Sequence, residues 1–171
     1  MEPRQSVQLI TAELIASLVK QAQQSIRRRM NYNFHTGGDD NPQRFLNVFL
    51  LGSYVRPHRH LTPPKAESFI VLSGHVVGFV FDDGGRVISG HILGDGPFAG
   101  RTPFQSTDRT VARGFDLQPG LWHCVASLTP VAVCYEVKPG PWNPVTDKEF
   151  APWAPEEGSA QAAPYLAALL A

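Results

Sequence analysis

Apolar residues recur at two different spacings along the chain. Between residues 10 and 29 they fall at the three- and four-residue intervals of an amphipathic helix. This pattern predicts one long helix from Ile10 to Arg29, with Thr11 as its N-cap. The basic residues Arg27, Arg28 and Arg29 would occupy its last turn, where cations interact favourably with the helix dipole.

Beyond residue 36, short apolar or alternating segments are separated by turns rich in glycine and proline. The clearest hairpin signal is Asp82–Gly85, which lies between two strand-like segments. Many short strands at regular spacing predict a mainly β protein, an antiparallel sandwich or barrel. The predicted strands are 44–51, 54–60, 67–73, 76–81, 86–88, 111–117 and 131–137.

The chain changes character after Pro139, because several prolines close together cannot continue a sheet. The aromatic residues Trp142, Phe150 and Trp153 predict a tail that packs across the body. A short final helix is predicted at 164–170, with a proline in its first turn. We therefore expect a single domain, 1–171, made of a helix and extended arm (1–35), a barrel (36–140) and a tail (141–171).

Composition limits the partners and the location of the protein. The chain has 15 basic and 15 acidic residues and a formal net charge of zero, which predicts no nucleic-acid binding. No apolar run is long enough to span a bilayer, and Met1–Gln5 begins no signal peptide. We therefore expect a cytoplasmic protein without membrane association. Cys124 and Cys134 are expected to be reduced, packed thiols.

Three histidines and one glutamate form the strongest chemical signal. His58 and His60 are two residues apart, so on a strand they point to the same face. Glu67 follows after a short loop, and His123 follows a Pro-Gly turn. Three neutral imidazoles and one carboxylate suit a divalent transition metal with one or two positions left open. The predicted ligands are compatible with Zn, Fe, Mn or Ni.

The same residues carry a resemblance to a fold family. The pattern G-x5-H-x-H-x6-E-x6-G between Gly52 and Gly74 resembles the first cupin motif, and P-G-x2-H at 119–123 resembles the second. The interval before the glutamate is lengthened by an insertion at Leu61–Pro64. The resemblance implies a single cupin domain, a double-stranded β-helix or jelly-roll-like antiparallel barrel.

A second resemblance covers nearly the whole chain. Five segments look like the WbuC family of cupin-fold metalloproteins, which is known as a fold and a metal site and has members near surface-polysaccharide gene clusters. This resemblance implies a role in surface-polysaccharide metabolism, with no established reaction. The segments are RMNYNFH at 29–35, GSYVRPHRH at 52–60, FDDG at 81–84, YEVKPGP at 135–141 and APWAPE at 151–156.

Other residues are candidates for contact with a small-molecule ligand. His35 lies in a family-like segment, and Tyr135 faces inward if its strand pairs with that of His123. An imidazole or a phenol near a metal can transfer protons, so His35 and Tyr135 are the catalytic candidates. Both also have ordinary alternatives, a surface histidine and a core aromatic. The substrate-binding candidates are Arg29, Asn31, Arg44, Arg56 and Lys65.

Two functions are compatible with these residues. The first is a metal-dependent enzyme on a small polar or anionic molecule such as a sugar or sugar nucleotide, by isomerisation, epimerisation or oxygenation. The second is a non-catalytic sensor that binds a ligand at its metal. No second carboxylate stands out beside the ligands, which disfavours hydrolysis. Because a small cupin sheet leaves edges to cover, we also expect a homodimer through sheet edges or the helix.

Overall fold

The alternating apolar segments form strands of two sheets. The computed structural model describes residues 7–101 and 110–171. The prediction about a signal peptide concerns Met1–Gln5, which lie outside the described residues. In chain order the elements are α1 (Ala12–Gln24), β1 (Arg29–Asn33), β2 (Gln43–Leu50), β3 (His58–Arg59), β4 (Glu67–Ser73), β5 (His75–Phe81), β6 (Val87–Gly94), β7 (Val111–Ala112), β8 (Gly114–Leu117), β9 (Trp122–Ser127), β10 (Val131–Lys138), β11 (Glu149–Phe150) and α2 (Ala162–Leu169).

The strands divide into sheet A, in the order β1-β2-β10-β4-β8, and sheet B, in the order β11-β3-β9-β5-β6-β7. Neighbouring strands are antiparallel except β6 and β7, which are parallel. The inner faces of both sheets share one apolar cluster, with Phe69 from sheet A and Val125 from sheet B. This arrangement confirms the predicted mainly β cupin fold, and the predicted hairpin is the β5–β6 pair. Neither helix in the described ranges is long and apolar enough to cross a membrane.

Helix α1 packs on the outer face of sheet A. Leu18 and Ala22 are buried in a cluster with apolar side chains of β2. Thr11 is the N-cap, as predicted, and its hydroxyl oxygen accepts a hydrogen bond from the backbone N–H of Leu14. The face of sheet A that points away from sheet B is therefore also buried where α1 crosses it.

The helix ends earlier than its apolar pattern predicts. Its last residue is Gln24, and the prediction that the basic triplet forms the last turn is wrong. The chain turns at once into β1, with Arg28 in the left-handed region (φ 55°) and Arg29 already in the strand. Ile26, which continues the apolar spacing, is 97% exposed. Tertiary pairing of β1 with β2 thus overrides the local helical pattern.

The tail covers the outer face of sheet B, as predicted. Trp153 and Tyr165 pack against a cluster that includes Phe79 of β5. Helix α2 begins two residues earlier than predicted and has Pro164 in its first turn. Cys124 points into this outer cluster, away from the interior between the sheets, and both cysteines are free and buried.

Candidate metal centre and adjoining cavity

The four predicted ligands come from both sheets and meet in the interior. His58 on β3 is the register partner of His123 on β9, so the two rings lie side by side in sheet B. His60 follows β3, and Glu67 begins β4 in sheet A. All four are buried, with potential ligand atoms within 4.8 Å of one another. The four ligand atoms are thus close enough to one another to converge on a single metal ion.

The insertion before Glu67 does not displace it. Leu61 and Pro64 form an isolated β-bridge, so the inserted residues close on themselves. The backbone N–H of Lys65 then donates to the carbonyl oxygen of His60. The chain thus returns to the point where the insertion began, and β4 starts at Glu67.

Each histidine ring is oriented by a backbone carbonyl at its Nδ1 atom. Such contacts are typical of metal-binding histidines, because a proton on Nδ1 leaves Nε2 free to bind. Among the described residues, Nε2 of His58 and of His60 has no hydrogen-bond partner, although both atoms are buried. The ring–carbonyl pairs are His58 with Arg56 (3.0 Å), His123 with Leu121 (2.8 Å) and His60 with Asp147.

The His123 ring gives a separate indication of a cation. Its Nδ1 faces the Leu121 carbonyl, and its Nε2 lies 2.8 Å from Oε2 of Glu67. A neutral imidazole carries a single N–H, so it cannot donate to both acceptors. A metal bound by both Nε2 and the carboxylate would satisfy both atoms. The residues present therefore fit a bound divalent metal.

The electrostatics of the cluster favour the protonation state that binds metal. Burial, followed by the charge of Lys148, lowers the pKa of His58 well below its ordinary value. Burial alone would raise the pKa of Glu67, but the neighbouring imidazole rings of His123 and His60 lower it well below its ordinary value. The neutral imidazole of His58 and the ionised carboxylate of Glu67 are both metal-binding forms.

A cavity of about 110 Å³ adjoins the cluster. His58, Glu67 and His123 form part of its wall, together with apolar side chains from both sheets. The remaining polar wall includes Asn47, Glu136 and Lys148, which sequence reasoning did not connect with the metal site. It also includes Arg27 and Arg29 of the basic triplet, one arginine of which was considered as a residue at the mouth of the ligand site, and Arg29 was predicted to bind substrate.

Glu136 supplies the second carboxylate that was not apparent from the sequence. Its Oε2 accepts a hydrogen bond of 2.6 Å from Nδ2 of Asn47. Burial, and then the charge of Glu67, raises the pKa of Glu136 well above its ordinary value. In the metal-free site the protonated form of Glu136 is therefore favoured beside the ionised carboxylate of Glu67.

Tyr135 lies on the opposite face of β10 from Glu136. Tyr135 was expected to face inward if its strand paired with the strand of His123. That pairing is wrong, since β10 lies between β2 and β4 and not beside β9. Tyr135 packs with Phe34 and Leu46 beneath α1. Because α1 buries the outer face of sheet A, the alternating apolar residues of β10 are those that face the helix. The neighbouring Glu136 lies on the other face and points to the metal cluster.

The predicted arginines are engaged in internal contacts. Arg29 reaches the cavity wall, where its guanidinium donates to both carboxylate oxygens of Glu157 at 2.6 and 2.7 Å. Arg56 donates to the carbonyl oxygen of Ala151 in the tail, and Arg44 donates to the carbonyl oxygen of Phe34, which directly follows β1. Of these three arginines, Arg29 alone lines the cavity.

His35 and Asn31 do not reach the metal cluster. They line a second cavity, which shares no described wall residue with the first. Nδ1 of His35 also lies 3.0 Å from the backbone nitrogen of Arg44. Asn31 and His35, which are close in the sequence, are therefore also close in the fold, but at the second cavity and not at the metal centre.

The tail residues 147–150, here called the strap, cross the metal centre. The Asp147 carbonyl faces the His60 ring, Lys148 lines the cavity, and β11 pairs with β3 so that Phe150 lies opposite His58. The Asp147 carboxylate binds two buried ammonium groups. These belong to Lys65 (2.6 Å), which was predicted to bind substrate, and Lys138 (2.7 Å).

Comparison with protein families gives a partial match. A family model described as a domain of unknown function, DUF6016, matches residues 10–93. This segment contains His58, His60 and Glu67 but ends before His123. No curated protein matches the chain.

Solved structures share the fold at low sequence identity. The capsular polysaccharide assembling protein CapF from Staphylococcus aureus is 20% identical with a TM-score of 0.51, over 70% of this chain and 31% of CapF. CapF with the inhibitor 3-isopropenyl-tropolone gives 21% identity and a TM-score of 0.50, over 70% and 30%. Protein SO0799 from Shewanella oneidensis gives 10% identity and a TM-score of 0.54, over 83% and 85%. This chain thus spans about a third of the length of CapF.

Proposed function

We propose that the chain is a metal-dependent enzyme of the WbuC family that acts on a small anionic metabolite, with one divalent transition metal held by His58, His60, Glu67 and His123. The observation that carries the proposal is the orientation of the rings. Their Nδ1 atoms face carbonyls, and the buried Nε2 atoms of His58 and His60 face the cluster without a hydrogen-bond partner in the described structure.

The charges around the cavity favour an anionic ligand. Three cationic side chains, Arg27, Arg29 and Lys148, face the two ionised carboxylates of Glu67 and Glu157, so these groups sum to +1 before a metal binds. A divalent metal adds two positive charges in a partly enclosed space, which attracts an anion. Glu136 is left out of this sum because its raised pKa favours the neutral form.

The cavity supplies groups for chemistry as well as for binding. A bound metal would act as a Lewis acid that polarises a carbonyl or stabilises an enediolate. The protonated carboxyl of Glu136 is positioned by Asn47 and can give a proton to a ligand in the cavity. Lys148 lines the cavity without a hydrogen bond to the described residues, so its side chain is available to an anionic group, whose charge would oppose the lowering of the Lys148 pKa by burial. These convergent groups support an enzyme over a closed, purely structural metal site.

The resemblance to the WbuC family and the fold shared with CapF agree on a biological setting. The printed name of CapF assigns it to capsular polysaccharide assembly. We extend this setting to the present chain as part of the proposal, so that its ligand is a metabolite of surface-polysaccharide metabolism.

Metal analysis of protein purified without added metal tests the proposal. We expect about one metal per chain in the parent, and none in folded His58→Ala or His123→Ala, because each variant removes a ligand. Glu67→Gln should bind the metal more weakly but measurably, since an amide oxygen can still coordinate. His91→Ala is the matched control, because His91 is exposed on β6 and should leave the metal content unchanged.

Titration with tropolone tests whether the metal has open positions. Tropolone chelates metals through two adjacent oxygens, so it should bind the metal-loaded parent and not the metal-free protein. Full metal content in folded His58→Ala or His123→Ala would reject the ligand set. Failure of the metal-loaded protein to bind tropolone would indicate a metal without open positions and would contradict an enzymatic role.

A further inference from the structure

A second cavity, of about 350 Å³, opens beside β1 at the edge of sheet A. This volume falls in the range of small-molecule sites. Its wall includes the amides of Asn31 and Asn33, the His35 ring and the aromatic side chains of Phe45 and Trp142. None of these residues belongs to the proposed metal centre.

The walls of this cavity are held in place by a buried amide. Gln43 is 1% exposed, and its side-chain nitrogen lies within hydrogen-bonding distance of the carbonyl oxygens of Gly37 (3.2 Å), Gly38 (3.0 Å) and Asp40 (2.7 Å). The backbone N–H of Trp142 donates to Gly38 at 2.6 Å. The loop and the backbone of Trp142 are thus fixed before any ligand arrives, which lowers the entropic cost of binding.

The chemical character of the wall matches a neutral, polyhydroxylated ligand. Nδ2 of Asn31 donates to Oδ1 of Asn33 at 2.6 Å, which leaves an acceptor on Asn31 and a donor on Asn33. A sugar hydroxyl both donates and accepts, so adjacent hydroxyls can bind this pair of amides. Trp142 is 48% exposed and offers an aromatic face to the apolar side of a sugar ring. The described wall contains no carboxylate, lysine or arginine, so it has no feature that selects an ion.

The two cavities lie along the same face of sheet A. Arg29 in the first cavity and Asn31 and Asn33 in the second are alternate residues of β1, so their side chains share a face. Asn31 is the register partner of Asn47, which lines the first cavity. The Arg29 wall of the first cavity therefore lies only about 6.6 Å along β1 from the Asn31 wall of the second, so the two cavities are adjacent on this face.

We propose that the second cavity is a saccharide subsite and that the substrate is a sugar derivative carrying an anionic group. The sugar ring packs on Trp142 and bonds to Asn31 and Asn33, while the anionic group points to the metal and Lys148. The anionic end rests on the proposed function, whereas the sugar end rests on the second cavity alone.

Ligand-observed NMR and calorimetry test the sugar end with D-glucose, D-galactose and N-acetyl-D-glucosamine. We expect at least one of them to bind the parent in the millimolar range, as suits a small neutral ligand. Trp142→Ala should weaken that sugar about tenfold, and Trp142→Phe, which keeps an aromatic face, should stay close to the parent. Ile88→Ala is the control, because Ile88 is 53% exposed on β6 and should have no effect.

The same titrations in His123→Ala separate this inference from the proposed function. Neutral sugars should bind that variant as they bind the parent, whether or not the metal proposal is correct. D-Glucuronate should bind the metal-loaded parent more tightly than D-glucose, and this preference should disappear in His123→Ala. Failure of all three neutral sugars, or parent-like affinity in Trp142→Ala, would overturn the saccharide subsite. Equal affinity for D-glucuronate and D-glucose in the loaded parent would overturn its connection to the metal centre.

Discussion

Replacing Asp147 with asparagine tests how the strap is fastened over the metal centre. The Asp147 carboxylate lies 2.6 Å from Nζ of Lys65 and 2.7 Å from Nζ of Lys138, and these side chains are 2–4% exposed. An amide is neutral and carries donors of its own, so the variant removes the counter-charge that directly contacts both buried ammonium groups. Because removal of one partner of a buried ion pair costs about 3–5 kcal/mol, we expect the free energy of unfolding to fall by that amount.

Urea unfolding in the presence of a chelator measures this loss without a contribution from metal. The same change should lower Tm by about 6–20 °C for a domain of this size. Burial opposes the ionised forms, yet the ion pairs lower the pKa of Asp147 and, with other nearby carboxylates, raise the pKa of Lys138. The contribution of Asp147 is present above about pH 4 and that of Lys138 below about pH 10. The difference between parent and variant should therefore be constant from about pH 5 to 9.

Glu149→Gln is the matched control, since it makes the same chemical change two residues further along the strap. The Glu149 carboxylate pairs with Arg59 but is 48% exposed, and exposed ion pairs contribute about 1 kcal/mol or less. If Asp147→Asn costs no more than this control, Asp147 is not the buried counter-ion of the two lysines.

Two further predictions concern pH and assembly. Burial holds His58 neutral in the metal-free fold, whereas the unfolded chain takes up a proton at this histidine below about pH 6.5. The free energy of unfolding should therefore decrease as the pH drops below about 6.5, by up to about 1.4 kcal/mol per pH unit for this group. Urea unfolding at several pH values measures this slope. Metal affinity should fall more steeply below about pH 6, with more than one proton taken up per metal released, and a flat affinity would contradict histidine ligation. A homodimer was predicted through sheet edges or the helix, and the exposed outer-face residues Ile70 and Leu72 of β4 offer a further apolar contact, so Ile70→Lys should weaken the dimer. A parent that sediments only as a monomer at high concentration would refute the dimer.

The clustered ligands could be predicted because their spacing in the sequence largely determines where their side chains point. His58 and His60 are two residues apart, and the hydrogen bond from Lys65 N–H back to His60 returns the chain to sheet A after the insertion. The partner from β9 could be predicted because its Pro-Gly turn resembles a known motif. In each case a few consecutive residues determine the direction of the side chain.

Glu136 and Tyr135 show where the same reasoning fails. Alternation along a strand separates two faces, but it identifies the inner face only when the other face is exposed to water. On β10 both faces are buried, one by α1 and one by sheet B, and the more apolar face is the one under the helix. The polar residues Glu136 and Lys138, two apart on an otherwise apolar strand, were the signal that marked the face of the site.

The strap presents a different difficulty, because it acts on the site through atoms that no side-chain pattern can reveal. His60 is oriented by a backbone carbonyl of Asp147, and any residue at position 147 would supply that oxygen. What keeps the oxygen in place is the Asp147 side chain, which is tied to Lys65 next to the metal loop and to Lys138 at the end of β10. Loss of these ion pairs would therefore reach the metal through His60 while all four ligand residues remained. The ligand motif and the tail are distant in sequence but form one functional unit. The carbonyl that orients His60 belongs to the strap, so its position depends on how firmly the strap is held.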